Sequence, residues 1–537
     1  MIKHLILFLV IFSEFILAQE TTKSNQNVKL PDFVITGKEV VPVVKAKKIP
    51  PDLVSTLSKE FIMPAYSPEK LELKEFPNPL KNKLNLFDSL DYNNALLEVG
   101  IGSFELPTAK LTYASPFSNG VFEGRLRVLN QRAYIKNSDK SELDGGATLD
   151  YFIDSRLSVF NGMKLKLNGN LATSGYKLYA AAVNPEAKRF LNTGDFSFLV
   201  NNLSDDNFIY EFKFSDELAN LDKPNLSENL FGFNGYSRAN FSAFNIGVNL
   251  NYKRQFIQNK LQDNSEFYFV NVRPTAGLDL SDFLRIQFGI SYAQDGSKTF
   301  SAPYLSAALN FNKNLTLFGE FAPDVEFLTE NYFIRMNPYL NTDSFSNLFF
   351  EKSNVLKAVL KYEYGVYFEI DGGIQYYASD EVPVYSYNPL DGTFNVFTLG
   401  GTSTAGFVNF LFHPGPYGIF YGTVKLEDAR DDANNVLPYH PKGTASLNYG
   451  YNFEMGLNTE ASLYYASKFF GAKTYADSIT TEPINSYIDL GLKFSYKITP
   501  GFFITLQMNN LLNNENYKWF GYKEIPLNII GGIKFTW

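Results

Sequence analysis

The chain has 537 residues, with 51 Phe and 34 Tyr but only 2 Trp, 19% charged residues and a formal net charge of −8. A mean hydropathy of −0.16 is too low for a helical membrane protein, and beyond the N-terminal segment no stretch stays apolar over the ~18 residues a spanning helix needs. The negative balance argues against general nucleic-acid binding, and the absence of cysteine excludes disulfides, thiolate metal sites and cysteine nucleophiles.

Residues 1–18 read as a secretory signal peptide. Lys3 and His4 give a weakly basic start, Leu5 to Phe12 is a continuous apolar run, and Ala18 suits the last position before cleavage. Residues 19–37 are polar and close on the run Leu30 to Gly37, LPDFVITG. Residues 38–94 carry Pro42, Pro50, Pro51, Pro64, Pro68, Pro77 and Pro79. Proline fixes φ and removes a backbone donor, so this zone is expected to be an extended linker or a reduced plug-like segment.

From residue 95 to 537 the pattern changes to alternation with period two. Ile488, Leu490, Leu492 and Phe494 share one strand face, and Asp489, Gly491, Lys493 and Ser495 share the other. Phe208, Tyr210, Phe212 and Phe214 alternate with Ile209, Glu211, Lys213 and Ser215, and Leu356, Ala358 and Leu360 with Lys357, Val359 and Lys361. A soluble sandwich also alternates, but here connector lengths are asymmetric. Short turns such as Asn312 to Asn314, Tyr364-Gly365 and Thr499 to Gly501 alternate with long stretches at 135–146, 216–230, 322–351, 428–442 and 470–485. Short turns on one side, long loops on the other and aromatic-rich apolar faces predict an all-β fold. The expected form is a transmembrane antiparallel barrel of about 22 strands, preceded by a short extended periplasmic segment. Polar members of each strand, among them Glu211, Lys213, Lys357, Lys361, Asp489 and Lys493, are expected to face the lumen. The last strand places Ile533, Phe535 and Trp537 on one face, as in the C-terminal signal read by bacterial barrel assembly machinery.

Three segments resemble TonB-dependent receptors, the outer-membrane importers energised from the inner membrane. LPDFVITG resembles the TonB-box region. Leu437-Pro438-Tyr439-His440-Pro441-Lys442, followed by Thr444 to Leu447, resembles an external-loop-to-strand segment of that family. Asn510-Leu511-Leu512-Asn513 with Tyr517 and Phe520-Gly521-Tyr522 resembles its C-terminal signature. The resemblance implies a bacterial outer-membrane location and transport of a solute. It also implies strand addition by Asp32, Phe33, Val34, Ile35 and Thr36 to a TonB-like periplasmic protein. Family members carry a globular plug of more than about a hundred residues before the barrel; residues 38–94 are too few and too proline-rich for it. A lumen-filling subunit, or a scaffold barrel that transports nothing, therefore stands beside the transport reading, as does a loop-occluded porin.

Chemistry is otherwise sparse. His413 falls in a periplasmic turn and His440 in an external loop, so they cannot share a metal, and neither has the neighbouring serine context at the lipid interface that a Ser-His-Asp site needs. Asp428, Asp431, Asp432, Asn434 and Asn435 are oxygen-rich but lack calcium-loop spacing, and a solvated acidic loop is the simpler reading. The aromatic stretch from Asn331 to Phe350 is expected to contact a ligand or to fold over the barrel mouth, the second being the simpler. No catalytic residue, metal or cofactor is expected, and the partners are outer-membrane lipid, the assembly machinery and a TonB-like protein.

Overall fold

The computed structural model describes residues 94–537, apart from 154–161, 203–206, 261–263, 282, 344–346, 366, 414–417, 454 and 476–477. The signal-peptide, TonB-box-like and proline-rich segments lie outside the described residues. From Ala95 the chain winds as 22 antiparallel strands into one closed barrel. Closure is made by the first strand, Ala95–Gly102, pairing antiparallel with the last, Asn528–Thr536, with Leu97 opposite Phe535. Ala95 and Trp537 exchange backbone hydrogen bonds of 3.0 and 3.1 Å, so the barrel wall closes on itself without an open edge.

The two faces of each strand differ as the alternation demands. In Asn347–Tyr364, Leu356 is 51% and Leu360 48% exposed on the outside, while the intervening Lys357 and Val359 are 5% and 3% exposed. In Tyr487–Thr499, Ile488, Tyr496 and Ile498 are exposed outward, and the Lys493 ammonium reaches the inward carboxylate of Glu98 at 3.2 Å. The exposed apolar surface is a band with two boundaries. At the short-turn end, aromatic pairs ring the outside: Phe117–Tyr151, Phe241–Phe244 and Phe283–Phe311, with ring centroids 5.0–6.2 Å apart. In Phe244–Gln258 the outward side chains run Phe244, Ile246, Val248, Leu250 and Tyr252, and then Arg254. Arg254 pairs with the outward Glu266 at 2.6 Å. A charge pair on the outer face marks where the hydrocarbon ends, leaving an apolar height of roughly 20–25 Å for tilted strands.

Strands much longer than the ~10 residues needed to cross a bilayer continue past this band at the long-loop end. Phe368–Asn388 and Thr393–Phe412 have 21 and 20 residues. Two expected loops are in fact strand. Residues 216–230 continue the wall, Phe208–Leu221 and Leu226–Phe241 pairing from Leu221↔Leu226 downward, because their polar residues keep the alternation going above the membrane. Residues 470–485 form the hairpin Phe469–Tyr475 with Ser478–Ile484. No described helix is long and apolar enough to cross a membrane.

Candidate functional site: the capped mouth

One wall hairpin does not stay in the wall. Leu315–Phe321 pairs with the lower half of Asn347–Tyr364, from Leu315↔Tyr362 to Phe321↔Leu356. Above that point the pairing between Asn347–Tyr364 and the next wall strand shifts register between Ser353 and Leu356, and Asn354 takes φ +52°. Asparagine tolerates this left-handed backbone better than other side chains. The upper part then pairs with Asp324–Thr329 as a separate two-stranded sheet, Asp324↔Lys352 to Thr329↔Asn347. The helix Glu330–Met336 follows, and the chain continues to Leu340 inside the mouth.

This infolded segment is a core element of the molecule. Leu328, Phe333, Ile334, Leu340 and Phe350 pack on Tyr176, Leu191, Leu221, Leu226, Ile257, Val382 and Val384 of the wall. Val325, Phe327 and Phe349 pack on Leu230, Phe269 and Phe300. Each such side chain contributes about 1.5–3 kcal/mol when fully buried, so the cap holds itself in place. Polar pins fix its register. The Arg335 guanidinium clasps Asp195 at 2.6 and 3.0 Å, Arg273 pairs with Asp324 at 3.1 Å, and Lys352 with Glu326 at 2.6 Å. The Arg189 guanidinium donates to the Leu340 carbonyl at 2.8 Å, and the Tyr176 hydroxyl to the Pro338 carbonyl at 2.5 Å.

Two buried carboxyls sit where the helix begins. The Asn331 backbone N–H donates to Glu228 at 2.8 Å, and the Asn259 amide donates to Glu330 Oε1 at 2.7 Å. Glu330 is fully buried, and burial pushes its carboxyl up to about 9, so it is neutral at pH 7.

A second cluster joins residues from five separate stretches of the chain at the mouth. Tyr387, Phe394, Trp519 and Tyr522 are its buried centre, with Tyr179, Tyr339, Tyr385, Tyr439 and Phe520 packed around them. Tyr439 and Trp519 lie 4.9 Å apart between centroids, and Tyr339 stacks on Tyr522. The Tyr522 hydroxyl donates to the Gly392 carbonyl at 2.5 Å. Two of the three segments that resemble receptor sequences, the one around Tyr439 and the one around Phe520 to Tyr522, therefore meet here in one aromatic clamp.

Below the cap lies a cleft of about 280 Å³ lined by Glu217, Asn251, Lys253, Asn271, Asp324, Tyr332 and Arg335, among others. The Lys253 ammonium donates to the Phe327 carbonyl at 3.1 Å, and the Asn271 amide to Asp324 at 2.5 Å.

Of the residues expected from sequence, Ile533, Phe535 and Trp537 lie on the outward face, exposed, with the Phe535 and Trp537 rings 5.3 Å apart. Asp32, Phe33, Val34, Ile35 and Thr36 lie outside the described residues. In the acidic loop, Asp428 binds Arg430 at 2.8 Å, and Asp431 accepts from Asn435 at 2.7 and 3.0 Å. His440 Nδ1 lies 3.5 Å from Glu427, and His413 is in the short-turn end, its backbone N–H donating to the Tyr367 carbonyl at 2.7 Å. No group of three metal-binding side chains occurs among the described residues. The aromatic stretch from Asn331 to Phe350 does fold over the mouth, and Phe333, Phe349 and Phe350 are buried. Asp195, Arg335, Glu330 and the inward asparagines escaped sequence reading, because their contacts join residues far apart in the chain. The recurrence of Asn at inward positions was the one available signal.

A closed 22-strand barrel with an apolar outer band and a loop-capped mouth has the architecture of an outer-membrane barrel, and it places the protein in the bacterial outer membrane. No protein-family model and no curated protein matches the chain. Solved structures of the same fold do. The ferripyoverdine receptor of Pseudomonas aeruginosa superposes with a TM-score of 0.58 at 11% identity, over 84% of this chain and 72% of the receptor. The FrpB iron transporter from Neisseria meningitidis gives 0.61 at 10% identity, over 84% of this chain and 82% of FrpB. The ferric-catecholate import receptor Fiu from E. coli K12 gives 0.60 at 10%, over 83% and 82%. At these identities the likeness is one of fold.

Proposed function

We propose that this protein is an outer-membrane receptor that takes up a solute. External loops bind the solute, the infolded cap moves aside to admit it, and Asp32 to Thr36 couple the step to a TonB-like periplasmic protein by strand addition. The observation that carries this reading is the cap. A passive porin needs an aqueous path, whereas here a protein core of wall and infold side chains fills the mouth. A capped barrel of receptor type supports gated uptake rather than a standing pore, and a non-enzymatic role goes with it. The same cap also supports a second reading, a scaffold barrel that anchors a periplasmic or surface complex.

The test combines growth and crosslinking. A deletion strain should lose growth on at least one nutrient of a defined panel, and Ile35→Pro should reproduce that loss, since proline removes a backbone donor needed for strand pairing. Photo-crosslinks from residues 32–36 to a TonB-like domain should vanish in the same variant. Full growth on every nutrient together with stable co-purifying partners would favour the scaffold.

A further inference from the structure

We infer that the cleft beneath the cap is a binding site for a neutral, polyhydroxylated ligand of the short-oligosaccharide type. This rests on the receptor reading and names its substrate class. Strand pairing sets Lys213 opposite Asn234, Asn234 opposite Asn251, and Asn251 opposite Asn271. Paired residues in an antiparallel sheet share a face, so these four form a lateral row of hydrogen-bonding side chains across four adjacent strands. The face is the inward one: Asn251 and Asn271 line the cleft, and the outward neighbour of Asn234 along the register is the exposed Phe231 series. Asn234 sits midway along Leu226–Phe241 and is exposed to the lumen. The row thus continues from the cleft along the inner face of the wall.

Three features select the ligand. The first is amide chemistry. A primary amide offers both donors and an acceptor, which matches hydroxyl groups that also do both. Asn251 lines the cleft, and its buried Oδ1 has no hydrogen-bond partner, so turning this amide toward a ligand hydroxyl breaks no bond at that atom. The second is charge. The lining carries the carboxylates Glu217, Asp324 and Glu326 against the cations Lys253 and Arg335. Asp324, Glu326 and Arg335 are already paired with Arg273, Lys352 and Asp195. An anionic chelate would need a surplus of positive charge, and there is none. The third is a platform. Tyr332 lines the cleft with its side chain 40% exposed, its ring braced edge-on by Phe333 at 5.1 Å. An aromatic face beside convergent polar groups suits the apolar face of a sugar ring. A cleft of 280 Å³ is near the small end of the ~300–1,000 Å³ range of ligand sites, which limits the occupant to a short saccharide.

The experiment is equilibrium binding to the purified full-length protein in detergent, where both ends of the barrel are accessible and no energy coupling is required. The probes are an array of neutral oligosaccharides containing maltotriose, cellotriose and tri-N-acetylchitotriose, with ferric citrate and inorganic phosphate as anionic comparators. At least one neutral probe should bind saturably, and Asn251→Leu and Asn234→Ala should each weaken it by tenfold or more. Two variants are used so that a folding defect in one, seen as lost heat-modifiable gel migration, leaves the other to decide. No saturable neutral probe, binding of the anions alone, or neutral binding that both folded variants leave unchanged would overturn the assignment. Because this assay bypasses coupling, it can fail while the growth test succeeds, which would leave the receptor standing with a different substrate class.

Discussion

Glu330 shows how much of the cap depends on single side chains. Its carboxyl is buried with one oxygen bonded to Asn259 and the other without a partner. Burial raises its pKa from 4.5 to about 9. The sign follows from proton linkage: the folded cap holds a proton that the opened chain releases above its ordinary carboxyl range. The stabilisation is complete below about 4.5 and is lost as pH rises through about 9. A nitroxide placed through Met336→Cys, in a chain that has no cysteine of its own, should become mobile as pH is raised through that value. Glu330→Gln should stay immobile, because the amide is neutral at every pH, whereas Glu330→Lys should mobilise the label at pH 7. An equal pH response in parent and Glu330→Gln would show that this carboxyl does not hold the cap. The Arg335–Asp195 pair permits a second test. Each single charge reversal should loosen the label, and the exchange Arg335→Asp with Asp195→Arg should restore it, if the 2.6 Å pair is what the cap rests on. None of this was legible in the sequence. A glutamate at the start of a seven-residue helix reads as an ordinary first-turn acid, and only the fold shows that a wall encloses it.

The elements around the mouth are tied by the aromatic clamp. Trp519→Ala removes a side chain that is 9% exposed and in ring contact with Tyr385, Phe394 and Tyr439. Large-to-small changes of this kind cost about 3–5 kcal/mol. Loops held only by the clamp should open, so trypsin added to intact cells should cut at the exposed Lys442 and Lys468 in the variant and not in the parent. Heat-modifiable migration of the barrel should persist, and loss of it would mean that the clamp is part of barrel folding itself. At the opposite end, Trp537→Ser should lower membrane insertion if the terminal strand signals assembly; unchanged membrane levels would remove that role from Trp537. At this scale the sequence was half legible. The alternation identifies the wall strands, and of the two roles open to the aromatic stretch from Asn331 to Phe350, ligand contact or a fold over the mouth, the structure shows the fold. Residues 216–230 were read as a loop because polar residues such as Asp216, Glu217, Asn220 and Asp222 look solvated. They are strand because a barrel wall that rises above the bilayer needs no apolar outer face.

For the whole molecule, alternation together with asymmetric connectors and aromatic-rich apolar faces leads to a barrel of about 22 strands, and the structure closes with 22. What pattern could not supply was the interior. Side chains that fill the mouth come from Tyr176 to Tyr522, and their meeting depends on circumference and shear, not on local sequence. Residues 324–340 lie inside the mouth against the wall, and this placement is tested most directly by chemistry across one contact. In the cysteine-free chain, Asp195→Cys and Arg335→Cys are introduced together and a short bis-maleimide is applied to intact cells, followed by mass spectrometry of the digested protein. The structure predicts a single intrachain crosslinked peptide pair joining positions 195 and 335, and little labelling of position 335 by a large membrane-impermeant maleimide. Absence of that pair, together with rapid external labelling of position 335, would contradict the capped barrel.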